Sequence, residues 1–410
     1  MNRILDLDKT MPLQTTQLKI TDTEYAQRNQ RLLEIIDELG VSGLVLFDAD
    51  YVKYYVGFAF IPTERPMAYV ISKSGERAMF VPRMEVEHAK AMGAIDRVAY
   101  YLEYPDTNHP MNVLVETLKD MGIDGTIGAD SDGYPWIFGY RGEPLSHLTG
   151  DKIINCRAPI EDQMAVKSPA EIALLKESVK WANLAHMLLQ KYTKVGIGEV
   201  EVAQRASNEA TLMMLDTIGP IWRNNSNYYE GAVATYRGQI GRNAAIPHAL
   251  TSNIKFQEGD VLVSGASAPI WGYVSELERT MILGTPTDEQ KRMFDHMMNL
   301  QTMAMEALEP GKPCSAVDKE VRAYFDKHDL MPYWKHHSGH TIGLRYHEGP
   351  FLDIGDDTLI KAGMVFTVEP GLYVPELGGF RHSDTVVVTD NGAEMITYYP
   401  RDLESLTLPI

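Results

Sequence analysis

His336-His337-Ser338-Gly339-His340-Thr341-Ile342-Gly343-Leu344, then His347-Glu348-Gly349-Pro350, then Val368-Glu369-Pro370-Gly371-Leu372-Tyr373 is the stretch that decides the fold of this chain. Short apolar runs punctuated by glycine and proline read as strands and tight turns. Gly339 and Gly343 are small enough to let neighbouring backbone approach closely around His340. Upstream lie Asp260-Val261-Leu262-Val263, Gly272-Tyr273-Val274-Ser275 and Leu277-Glu278-Arg279-Thr280. Glu276 and Glu278 are two residues apart, so on a strand both side chains face the same side.

Around this segment the composition is that of an ordinary globular protein. The chain has 410 residues, 44% hydrophobic and 23% charged, enough for two domains with substantial cores. No apolar run approaches a membrane-spanning length, and Met1-Asn2-Arg3-Ile4-Leu5-Asp6 lacks the apolar region of a signal peptide. Two cysteines, Cys156 and Cys314, give no disulfide framework and suit a reducing cytoplasm. A formal charge of −18 argues against nucleic acid or an anionic membrane as partner, because phosphates are repelled. The expected setting is cytoplasmic, with a small-molecule substrate.

The first segment alternates helical and strand patterns. Thr21-Asp22-Thr23-Glu24 reads as a capping box opening an amphipathic helix through about Leu39, which Gly40 ends. Gly43–Phe47, Met67–Ser72 and Arg77–Val81 read as strands, and 84–92 and 111–121 as helices. A boundary is expected at Lys167-Ser168-Pro169-Ala170-Glu171, where serine caps, proline fits the first helical position and glutamate reaches back. Long helices are expected from Ile172 to Tyr192 and from Glu199 to Leu215, strands from Val261, and a helix pair between Asp288 and Lys327. Gly378-Gly379 reads as a hairpin-like turn rather than a phosphate loop.

The quoted strings resemble the pita-bread hydrolases: aminopeptidase P, prolidase, methionine aminopeptidase and creatinase. In the metal-dependent members of that family, two Asp, one His and two Glu hold two divalent ions. Aligned on Asp260, those positions fall on Gly265, Glu276, His340, Glu369 and, within Arg381-His382-Ser383-Asp384, on Ser383. Three of the five therefore carry something else. The pattern resembles creatinase, the family's metal-free member. His248, twelve residues before Asp260, matches its catalytic His, and Glu278 matches its Glu. Arg65-Pro66 resembles the turn whose Arg, donated by the neighbouring subunit, grips the substrate carboxylate, and Phe58 and Phe60 loosely match its aromatic neighbours. Ser383 departs from creatinase, and His347-Glu348-Gly349-Pro350 follows the prolidase and aminopeptidase pattern instead.

The resemblance implies an α+β protein: an N-terminal creatinase/prolidase-like α/β domain over residues 1–160 and a C-terminal pita-bread domain over 161–410, forming a homodimer. Glu276, Glu278 and Glu369 in one pocket raise one another's pKa unless a positive partner arrives. The leading expectation is therefore a metal-independent, creatinase-like hydrolase of a C–N bond in a small cationic or zwitterionic metabolite, with no cofactor. In it His248 is general base and then acid; Glu278, Glu369 and His340 are catalytic; Arg65, Glu276, His347, Phe60 and Ser383 bind substrate. The alternatives are an Xaa-Pro dipeptidase or aminopeptidase with an atypical metal site, holding one divalent metal at Glu276, His340 and Glu369; a lyase on an onium metabolite; and a ligand-binding pseudo-enzyme.

Overall fold

The structure, a computed structural model, describes residues 18–91 and 94–410. It divides into two compact units, one of Ile20–Met164 and the other containing Ala165–Ile410.

The first unit opens with helix α1 (Asp22–Leu39), whose N-cap Thr21 accepts a hydrogen bond from the Glu24 amide. The Glu24 carboxylate pairs with Arg28 one turn on, and Gly40 ends the helix in the left-handed region, as its position foretells. Six strands follow: β1 (Gly43–Leu46), β2 (Ala68–Ser72), β3 (Arg77–Pro82), β4 (Arg97–Tyr101), β5 (Thr126–Ala129) and β6 (Lys152–Asn155). They form one mixed sheet in the order β4-β3-β2-β1-β5-β6. The inner strands are buried along nearly their whole length, and Val45, Val70 and Phe80 pack with Leu114 and Leu118 of the helix Pro110–Asp120. The helix expected over 84–92 is a 3-10 turn, Arg83–Glu85, running into Val86–Ala91; Met92 lies outside the described residues.

The second unit begins at a full capping box. Ser168 accepts from the Glu171 amide while the Glu171 side chain accepts from the Ser168 amide, and the helix Pro169–Tyr192 follows. Beyond the helix Glu199–Ile218 comes a nine-stranded sheet. Its members are β7 (Val233–Thr235), β8 (Val261–Ser267), β9 (Leu277–Leu283), β10 (His340–Thr341), β11 (Glu348–Phe351), β12 (Val365–Val368), β15 (Ser383–Thr389), β16 (Gly392–Met395) and β17 (Thr407–Leu408). A separate ribbon pairs β13 (Leu372–Val374) with β14 (Gly378–Phe380). The main order is β11-β10-β12-β15-β9-β8-β7, and the helices Asp288–Ala307 and Cys314–Lys327 pack against each other.

Register explains which side chains meet. Gly265 on β8 lies opposite Glu278 on β9, and Glu278 opposite Ser383 on β15. Directly opposed residues project to the same face, so these three form one row. Glu276, two residues before Glu278, joins that face, and Glu369 follows β12, whose Val368 pairs with Asp384.

Arg279 points away from that row into the interior and is fully buried. Its Nε donates to the Pro400 carbonyl, Nη1 to the carbonyls of Glu278 and Ser383, and Nη2 to Asp384 Oδ1 and the Tyr399 carbonyl. All five N–H donors of the guanidinium are thus used, and two of them tie down the backbone of Glu278 and Ser383.

Gly378 and Gly379 are not a turn. They open β14, and the reason for small residues there is close approach: a Cβ on Gly379 would meet the Ala244 carbonyl oxygen at 2.0 Å. The 3-10 turn Gly241–Ala245 leans on that strand just before His248. Gly379→Ala is therefore expected to destabilise the protein by about 1–3 kcal/mol, the usual range for overpacking, read by denaturant unfolding.

Candidate active site

Glu276, His340 and Glu369 bring one ligand atom each to within 4.8 Å of one another. His340 is fully buried. Its Nδ1 lies 3.0 Å from the Thr341 carbonyl, which can only accept, so the proton of the neutral ring is on Nδ1 and Nε2 carries the lone pair. Nε2 is 3.1 Å from Glu369 Oε1 but misaligned for a hydrogen bond; among the described residues it has no hydrogen-bond partner.

The ionisation of the cluster follows from crowding. Burial, then Glu369 and Glu278, push the Glu276 carboxyl up to about 8. Burial alone would lower His340, but the Glu369 carboxylate beside it and nearby Glu276 push it up to about 9. Burial would raise Glu369; His340 and Arg381 outweigh it and hold that carboxyl well below the usual range. Without an ion the His340 ring holds a proton against the Glu369 carboxylate; a divalent cation among the two carboxylates and Nε2 would displace that proton, and the donor set fits one. Further along the row the fit stops. Gly265 offers no donor atom, and Ser383 offers a hydroxyl that already donates to Glu276 Oε1 at 2.7 Å.

Glu278 has a different environment. Arg381 grips it with both Nε and Nη2, the latter 2.8 Å from Oε1, and Arg237 Nη2 reaches the same oxygen at 2.8 Å. Arg381 Nη1 also donates to the Tyr373 hydroxyl, which sits 2.7 Å from His336 Nε2. His336 Nδ1 faces the His337 carbonyl, so Nε2 accepts from Tyr373 and the ring is neutral, in keeping with its lowered pKa, where burial leads. The charge expectation is corrected here. The three carboxylates converge, but Arg381 and Arg237 already supply the cations that a cationic substrate was expected to bring.

His347 stacks on His340, with ring centroids 4.0 Å apart, and burial together with His340 pushes it down to about 4, so it is neutral at pH 7. His248 is exposed on the loop after Pro247, whose carbonyl accepts from Gln239 Nε2 at 3.1 Å. Arg65 and Phe60 belong to the other unit. Arg65 is held there by Glu103, with Nε 2.7 Å from Oε1, and by Glu64, while Phe60 is buried with its ring against Phe58.

Several residues in these networks escape a linear reading. Glu199 is buried and accepts from the amides of Gly238, Ser252 and Ile254, which pins both ends of the loop carrying His248. Asp318, also buried, accepts from Ser338 Oγ at 2.7 Å, and Ser338 in turn receives the Glu369 amide. Tyr373 closes the quoted Glu369-to-Tyr373 string, the one sequence signal for its role.

Comparison with known proteins agrees with this geometry. Residues 173–390 match metallopeptidase family M24, and residues 28–163 match the creatinase/prolidase N-terminal domain. The Xaa-Pro dipeptidase of Pyrococcus furiosus is 28% identical over 387 residues, covering 92% of this chain and 99% of its own. Among solved structures, an Xaa-Pro dipeptidase from Bacillus anthracis superimposes with a TM-score of 0.77 at 25% identity, over 94% of this chain and 100% of that one. Dipeptidase PepE from Mycobacterium ulcerans gives a TM-score of 0.79 at 25% identity, over 96% and 100%. The expectation of a site without a cofactor is overturned by the match to a metallopeptidase family, and the Glu276–His340–Glu369 donors are the matching feature of the structure.

Proposed function

Because the chain belongs to metallopeptidase family M24, a hydrolase of C–N bonds with a creatinase/prolidase-like N-terminal domain and a pita-bread domain, we propose that it is a metal-dependent peptidase of the Xaa-Pro dipeptidase type acting on small peptides. The observation that carries this reading is the buried His340 Nε2, free of any aligned partner among the described residues and flanked by Glu276 and Glu369. That similar proteins are Xaa-Pro dipeptidases supports the choice of bond.

Glu276, His340 and Glu369 hold the ion, which when bound supplies Lewis-acid polarisation of the scissile carbonyl. The chain's own residues do the rest. Ser383 orients the Glu276 carboxylate through its hydroxyl. The Nδ1 contact to Thr341 fixes the His340 ring so that Nε2 faces the site. His347, neutral and stacked on His340, offers one N–H to a substrate carbonyl. His248, which is exposed, takes a proton from the attacking water and returns it to the leaving nitrogen as the C–N bond breaks. Arg381 neutralises Glu278 and keeps that wall of the site rigid.

Chelator-treated protein reloaded with Mn²⁺ or Zn²⁺ is the test, assayed on Xaa-Pro dipeptides and on zwitterionic metabolites. Cleavage of the dipeptides that chelation removes and metal restores is expected. Dipeptide cleavage indifferent to chelation, or turnover of the metabolites alone, would contradict the proposal. His248→Ala is expected to lower kcat by about a hundredfold, within the range for general acid–base groups, with much less change in KM. Unchanged kcat would remove His248 from the mechanism.

A further inference from the structure

Lys167 carries a buried charge that the proposed peptidase chemistry does not use. It stands directly before Ser168, the N-cap of the helix Pro169–Tyr192, and its amide donates to the Gly363 carbonyl at 2.9 Å, which fixes the base of the side chain. Its Nζ donates to Glu348 Oε2 at 2.7 Å, and the two side chains are 1% and 7% exposed. Glu348 directly follows His347, and its second oxygen, Oε1, receives the Arg345 amide at 3.0 Å. One carboxylate thus closes the turn over 345–348 on itself and ties it to a helix start far away in sequence. Bonds of this kind, between charged groups, are the stronger ones.

The surroundings make room for this pair. A Cβ on Gly343 would meet Lys167 Cε at 2.9 Å and the two Glu348 carboxylate oxygens at 3.0 and 3.1 Å. The flanks of the turn are held separately. The Thr341 hydroxyl donates to the Gly349 carbonyl at 2.7 Å, and the Gly343 carbonyl accepts from the Val274 amide at 2.9 Å. Between those flanks the Glu348 carboxylate is the link from the turn to Lys167.

The turn carries His347, which is exposed. Among the described residues its ring makes no hydrogen bond, and its ring contact is the stack on His340, 4.0 Å between centroids. A single ring–ring contact is a weak restraint on an exposed side chain. The backbone of the turn therefore decides where the imidazole lies. A buried ion pair adds little net stability over apolar packing, but it fixes one geometry.

We infer that Lys167 is a positioning residue: through Glu348 it holds the turn that keeps His347 stacked on His340 and aimed at the substrate carbonyl. The kinetic consequence rests on the peptidase reading, whereas the placement of the ring does not.

Histidine ring NMR spectra of Zn²⁺-loaded protein made with isotope-labelled histidine are the primary test, with His347→Ala assigning the resonance. In the wild type the His347 signal is expected to be displaced by the ring current of His340. Lys167→Met should return it toward the position of an unstacked ring, and Lys167→Arg, which keeps the charge, should retain most of the displacement. Because Lys167→Met strands the Glu348 carboxylate and could unfold the protein, the neutral double variant Lys167→Met/Glu348→Gln is measured beside it, with the same expected shift. A wild-type signal without displacement, or one that stays displaced in a folded methionine variant, overturns the inference. In the kinetic arm, the double variant should lower kcat on an Xaa-Pro dipeptide about tenfold, a modest loss for a misplaced group. In a His347→Ala background the same change should cost less than about twofold, the coupling expected of residues that act as one unit. Equal losses in both backgrounds would make the pair structural only and overturn the assignment. If the loaded wild type cleaves no dipeptide, the peptidase reading fails, and the resonance alone decides the role of Lys167.

Discussion

His340→Ala is expected to lower kcat/KM on an Xaa-Pro dipeptide by about a thousandfold. Lewis-acid polarisation is worth several kcal/mol at the transition state; about 4 kcal/mol corresponds to that factor. His340 is the one nitrogen donor of the set, it is fully buried, and its Nε2 has no other aligned partner among the described residues. Alanine removes that donor and leaves Glu276 and Glu369 facing each other, with only oxygen ligands between them. Steady-state kinetics read the loss, and far-ultraviolet circular dichroism checks that the sheet around β10 persists. Activity within tenfold of wild type would mean that the chemistry is carried elsewhere.

The second large effect concerns stability. Asp384 is fully buried and pairs with Arg279 at 2.8 Å; it also accepts from Gln301 Nε2 at 2.9 Å and from the Thr397 hydroxyl. Taking away one partner of a buried pair strands the other charge, at a cost of about 3–5 kcal/mol. Asp384→Ala should therefore lower Tm by about 10 °C for a unit of this size, measured by thermal unfolding. Arg279 would be left with four carbonyl contacts and no counter-charge. Because Arg279 also holds the carbonyls of Glu278 and Ser383, activity should fall faster with temperature than in the wild type. A Tm shift below about 2 °C would show that the pair contributes little.

Much of the fold is legible from local chemistry. Thr21 and Ser168 both cap the helices that follow them, and Gly40 and Pro169 sit where their backbone preferences require. The β8–β9 hairpin, the position of His340 on a short strand and the placement of Glu369 just past β12 all follow from motifs close together in sequence. Gly378-Gly379 misleads because glycine signals two things, a turn or a close backbone approach, and only the neighbouring strand distinguishes them.

Site chemistry is harder to read for a definite reason. Spacing alone can place Glu276, Glu278 and Glu369 near one another, because each lies on or beside a strand of one sheet. It cannot show what balances them. Arg381 approaches from the segment between β14 and β15, and Arg237 from the loop after β7, some forty residues upstream of the carboxylate both share. Neither has a periodic signature. Negative charge argues for a cationic substrate, and the residues at the ligand positions Gly265, Glu276 and Ser383 argue for an absent metal, whereas two intramolecular guanidiniums and membership of a metallopeptidase family point the other way.

The most direct measurement is anomalous diffraction from crystals soaked in Mn²⁺, with data collected at a wavelength where manganese scatters anomalously. A peak enclosed by the side chains of Glu276, His340 and Glu369 is the predicted result. No peak at those three residues, in crystals of protein that cleaves a dipeptide, would contradict the account.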